Sequence, residues 1–175
     1  MGSIVYLERA RTAKDKGIRY GLGKGGYFPT DPLPCRKSVK LVKLIPTLAL
    51  WCDCSGFVAW VLCISRKPSA RWKWWLSTDS IWSDATGPQV VFERLDVPEP
   101  GCLAVYPDWR DGAGKKHEGH VAVVADPALH TVVDCSGSQD GVTEHVASYF
   151  WSGTQPTVWC RYKGVAVSAA LGIAA

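Results

Sequence analysis

The chain has 175 residues, 47% hydrophobic and 21% charged, with 20 basic and 16 acidic residues for a net charge of +4. At this size one domain can bury roughly two-thirds of its unfolded surface, so a single folding unit over 1–175 is expected. No run reaches the ~18 consecutive apolar residues of a membrane span. No nucleic-acid motif accompanies the modest positive charge, so neither a membrane nor a nucleic acid is the expected partner.

In chain order, residues 3–16 carry Ile4, Val5, Leu7, Ala10 and Ala13 at near-helical spacing, with Gly17 as a stop. The opening "MGSIVYLERARTAKDKG" lacks the charged, apolar, then small-residue order of a signal peptide, so a product made in the cytoplasm is expected. Residues 21–36, "GLGKGGYFPTDPLPCR", are too rich in Gly and Pro for regular structure. Residues 37–50 alternate basic and apolar positions and then break at Pro46. Together 21–50 reads as a loop insertion, expected to act as a lid or a partner-docking segment. Its cluster Arg36, Lys37, Lys40 and Lys43 reads as a solvated basic face.

A second helix is predicted from Asp53 to about Ser65, with Asp53 as N-cap and Lys67-Pro68 as the stop. "RWKWW" at 71–75 is expected to pack beside that helix, and "STDS" at 77–80 to cap a further short one. After Pro100-Gly101 the texture changes to short β-rich runs, "CLAVYP", "HVAVVAD", "HTVVDCS" and "TVWCRYK", bounded by Pro, Gly and Asp. Helices first and an antiparallel sheet afterwards make the fold class α+β. The apolar tail over 164–175 is too short for a bilayer and is expected to pack or fray.

The chemistry centres on "WCDCSGFVAW", Trp51 to Trp60. A thiol becomes a good nucleophile when it ionises, and the first turn of a helix favours an anion. Cys54 falls in such a turn; Cys52 precedes it, and Cys63 is expected inside the helix. Seven cysteines, without an export signal or a C-x-x-C pair, favour free thiols over a disulfide framework. Of four histidines, His120 opens the strand "HVAVVAD", where it can be aimed at a helix end. His117 sits in a polar loop, and His145 reads as surface. In "HTVVDC", alternation places His130, Val132 and Asp134 on one face and Thr131, Val133 and Cys135 on the other. A carboxylate within an apolar strand needs a partner. His120 supplies one if the two strands pair antiparallel; the following Ser136-Gly137 turn is the alternative.

At these residues the sequence resembles the NlpC family of papain-like cell-wall peptidases. "DCSGFV" at 53–58 is similar to that family's nucleophile motif, "GHVAVV" at 119–124 to its histidine motif, and "EPGCLAVY" at 99–106 to its P-G-D-L segment, with Cys102 in place of the usual Asp. "IRYGLGKGG" at 18–26 looks like its Tyr-containing loop. The resemblance implies N-terminal helices packed on a small antiparallel sheet. Cys54 becomes the nucleophile, His120 the general base and acid, and Asp134 the residue that orients the imidazole. Tyr20, Asp53 and Ser55 match positions that line the substrate's amine side. Members hydrolyse amide bonds in peptidoglycan stem peptides, often D-glutamyl to diaminopimelate, and need no metal or other cofactor.

The length and motifs are also similar to those of amidase effectors delivered by type VI secretion. That implies a monomeric antibacterial toxin, acting on the cell wall, with an immunity protein that plugs its cleft. Three other readings compete. Acyltransferase or thioester chemistry on the same scaffold is one, although lipid-acting relatives carry His before Cys. A metal site built from Cys52, Cys54, His117 and His120 is another. A non-catalytic wall-binding module using the Trp-rich run is the third.

Overall fold

The computed structural model describes residues 2–35, 50–68 and 75–164. The basic–apolar segment 36–49, residues 69–74 of the Trp-rich region and the tail from 165 lie outside the described residues.

Helix α1 (Gly2–Thr12) buries Tyr6, Leu7, Ala10 and, just past its end, Ala13. Leu7, Ala10 and Ala13 are thus buried as read in the sequence, joined by Tyr6, whereas Ile4 is 51% exposed. The helix also stops before residue 16: the chain turns through Asp15 and Gly17, both at positive φ. Strands β1 (Ile18–Tyr20) and β2 (Leu50–Cys52) then pair in parallel, with Tyr20 beside Cys52. The 21–35 segment between them is turns and bends, as its Gly and Pro content dictates.

Helix α2 (Cys54–Val61) follows directly, and all eight of its residues are buried. It ends four residues earlier than expected, because Cys63 adopts φ 55° in the left-handed region. The N–H groups of Cys63 and Ile64 then donate to the carbonyls of Trp60 and Ala59, which closes a Schellman cap. Cys63 thus lies outside the helix, and no glycine marks the stop. Helix α3 (Thr78–Thr86) opens with a capping box between Ser77 and Ser80.

The main sheet uses β3 (Phe92–Leu95), β4 (Leu103–Tyr106), β7 (His120–Asp126), β8 (Thr131–Ser136), β9 (Gly141–Val146) and β10 (Val158–Tyr162). Their spatial order is β3-β10-β4-β7-β8-β9, antiparallel throughout. Between β4 and β7 the chain makes a small hairpin of β5 (Trp109–Arg110) and β6 (Lys116–His117). Alternation along the strands divides the core in two. Val121, Val123, Val133 and Cys135 face the cluster that also holds α1, α2 and α3 side chains. Ala104, Ala122, Val124 and Val132 face a second cluster covered by Phe150 and Ala147, in and beside a 3-10 turn over Ser148–Trp151. Helices before an antiparallel sheet make the fold α+β.

Candidate active site

The β2–α2 junction presents the nucleophile candidate. Asp53 is the N-cap: its Oδ1 accepts from the Gly56 N–H at 2.7 Å and its Oδ2 from the Gly23 N–H at 2.6 Å. The N–H groups of Cys54 and Ser55, at the first two helical positions, precede any intrahelical acceptor. Cys54 thus stands beside two N–H groups without an intrahelical acceptor and at the positive end of the helix dipole. The small residue at Gly56 has a specific purpose. A Cβ there would lie 2.4 Å from the Lys24 carbonyl oxygen, so the 23–26 segment rests directly on the first turn of α2.

Burial of Asp53 demands a cation, and Arg66 supplies it. Its guanidinium is 2.7 Å from Asp53 Oδ1 and donates to Ser55 Oγ at 2.8 Å and to the Lys24 carbonyl at 3.0 Å. Trp75 covers the guanidinium at 4.9 Å. Arg66 cancels a negative charge that would otherwise sit beside the nucleophile and oppose an anion there. Sequence reasoning missed this residue. The available signal was Asp53 itself, since a buried carboxylate requires a counter-charge. The same network takes in Asp53 and Ser55, the residues matched in the sequence to the substrate's amine side. Their side chains are buried and committed to Gly23, Gly56 and Arg66.

His120 opens β7, opposite Tyr106 of β4. Its Nε2 lies 2.6 Å from Oδ2 of Asp134, which is fully buried on β8. Its ring stacks on Phe150 with centroids 5.9 Å apart. Cys54 lies near enough to the imidazole for its charge to raise the His120 pKa. With Nε2 committed to Asp134, Nδ1 is the nitrogen left for the sulfur. Burial alone would lower the His120 pKa. The Cys54 charge, together with the hydrogen bond to Asp134, outweighs it and raises the group from 6.5 to about 10. The surroundings therefore favour the protonated imidazole.

Tyr20, at the end of β1, is half-buried. Burial, then the charges of Cys54 and Asp53, push its hydroxyl well above the usual range, so it stays neutral. The remaining histidines divide. His117 is bonded to Asp111 at 2.9 Å and stacked on Trp109 in the exposed hairpin. His145, read as surface in the sequence, lies instead on β9 with its side chain 18% exposed and its Nδ1 3.8 Å from Asp134 Oδ1. The four residues weighed as a metal site do not converge. Cys52 is buried with its Sγ donating to the Asp53 carbonyl at 3.4 Å, and among the described residues no group of three or more His, Cys, Asp or Glu side chains is placed to hold a metal ion.

A thiol, an imidazole and a carboxylate in series, next to backbone N–H groups, can carry out nucleophilic acyl transfer. No family model matches the sequence, and no curated protein matches it. Two solved structures are similar in fold. One is NlpC1 of Trichomonas vaginalis, at 16% identity and a TM-score of 0.46 over 94% of this chain. The other is the peptidoglycan hydrolase RipB of Mycobacterium tuberculosis, at 18% identity and a TM-score of 0.48 over 91% of this chain. The chain spans 46% and 66% of the lengths of those two proteins, less than two thirds of either.

Proposed function

We propose that the protein is a cysteine peptidase that hydrolyses an amide bond in peptidoglycan stem peptides, with the D-glutamyl to diaminopimelate bond as the expected target. The observation that carries this reading is the series Cys54–His120–Asp134, built where the sequence resembles the NlpC motifs. Cys54 attacks the amide carbon as thiolate, and the N–H groups at the start of α2 receive the developing oxyanion. His120, held in one orientation by Asp134 and Phe150, passes its proton to the leaving amine. It then takes a proton from the water that attacks the acyl group, and Cys54 leaves as thiolate, restoring the starting pair. Asp134 remains a carboxylate throughout and fixes which ring nitrogen faces the sulfur. Tyr20, beside the thiol, contributes to the wall of the substrate site. Asp53, Ser55 and Arg66 hold the helix start in place.

In this reading the protein acts on the cell wall after delivery by type VI secretion, and its protein partner is an immunity protein that plugs the cleft. Digestion of defined muropeptides, followed by mass spectrometry of the products, tests the reaction. The expected result is a pair of fragments with a new amine on diaminopimelate. Intact stems after prolonged incubation, or cleavage in the glycan alone, contradict it.

A further inference from the structure

Asp134 has two oxygens, and the series above uses only one. Oδ2 accepts from His120, whereas Oδ1 is buried with no hydrogen-bond partner. A carboxylate oxygen in that position is costly unless a donor reaches it. The groups around it come from four elements. His120 of β7 is on the other oxygen. Tyr106 of β4 and Tyr149 of the 3-10 turn are near enough for Asp134 to raise their pKa values, but neither hydroxyl bonds to Oδ1. Across the β8–β9 register, Thr143 stands opposite Asp134, and His145 stands one pair further along on the same face. Its Nδ1 is 3.8 Å from Oδ1 and 3.0 Å from the Thr143 hydroxyl oxygen. Most of that imidazole is enclosed, and the triad leaves it without an assigned part.

We propose that His145 is a positioning residue of this site. Its Nδ1–H is shared between Thr143 Oγ1 and Asp134 Oδ1, so that Asp134 bridges two imidazoles and cannot rotate away from His120. The contact is long in the resting protein and shortens when substrate closes the site, as catalytic hydrogen bonds commonly do. His145 acts through Asp134 and touches no reacting atom. This assignment rests on the hydrolase reading above for its catalytic consequence, but its geometry stands by itself.

The two parts are tested separately. In the wild-type protein labelled with ¹⁵N at histidine, long-range proton–nitrogen correlation should find Nδ1 of His145 protonated. An unprotonated Nδ1, accepting from Thr143, overturns the proposal whether or not the protein is a hydrolase. In kinetics on a cleavable stem peptide, His145→Phe removes the donor and should lower kcat roughly 10- to 100-fold with little change in KM. His145→Gln restores a donor and should recover most of that loss. Equal losses in the two variants, or wild-type kcat in His145→Phe, contradict it. Absence of any cleavage by the wild type refutes the hydrolase reading and leaves the tautomer result to decide the geometry.

Discussion

Nε2 of His120 and Oδ2 of Asp134 lie 2.6 Å apart on adjacent antiparallel strands, and Asp134 has no exposed surface. A buried carboxylate that close to an imidazole both orients the ring and favours its protonated form. Replacing Asp134 with Asn keeps the shape but removes the charge and lets the ring take the other tautomer. A loss of roughly 10²- to 10⁴-fold in kcat is expected, with KM nearly unchanged. Steady-state kinetics on a stem peptide check this; a variant within a few-fold of wild type would assign the orienting role elsewhere.

The raised pKa of His120 also sets a stability trend. Its folded value, about 10, lies above the ordinary 6.5. The contribution is fully present below about 6.5 and is lost as pH rises through about 10. Urea midpoints should therefore fall between pH 7 and 10 in the wild type. The fall should be smaller and end at lower pH in Asp134→Asn, where the carboxylate that helps hold the proton is gone. A midpoint that is flat across that range, in both proteins, contradicts the charged pair.

Much of this site was legible in the sequence because its parts are local. Asp53 announces a helix start through its cap chemistry, and the alternation of "HTVVDC" separates Asp134 from Cys135. Two features were not legible, each for a physical reason. Arg66 reaches Asp53 only because α2 ends at a Schellman cap formed by Cys63, and a left-handed cysteine carries no glycine-like signal. Pairing on both sides of Asp134 depends on β9, whose run "GVTEHV" mixes polar and apolar residues too evenly to read as a buried strand.

Arg66 gives a separate stability test. Arg66→Met leaves Asp53 as a buried, unpaired carboxylate and should cost about 3–5 kcal/mol in denaturant unfolding. The double variant with Asp53→Asn should recover a large part of that loss, because the charge is then gone from both partners. Additive losses in the double variant would show that the two side chains are not coupled.

Thiol reactivity offers a test without substrate. Burial pushes the Cys102 thiol up to about 12 and raises Cys52 and Cys160 as well. Cys63 is raised by partial burial despite the Arg9 guanidinium beside it. Limited iodoacetamide at neutral pH, with peptide mapping by mass spectrometry, should therefore label Cys54 ahead of these four. Label concentrated on Cys63, or spread evenly among them, would remove the case for a thiol activated by its surroundings.

The most direct measurement is digestion of a defined disaccharide–tetrapeptide by the wild type beside Cys54→Ala, with products identified by mass. The account predicts amide cleavage by the wild type and at least a ~10⁴-fold loss in the folded variant, since the covalent route has then disappeared. Equal cleavage by both proteins would contradict it and place the nucleophile elsewhere in the chain.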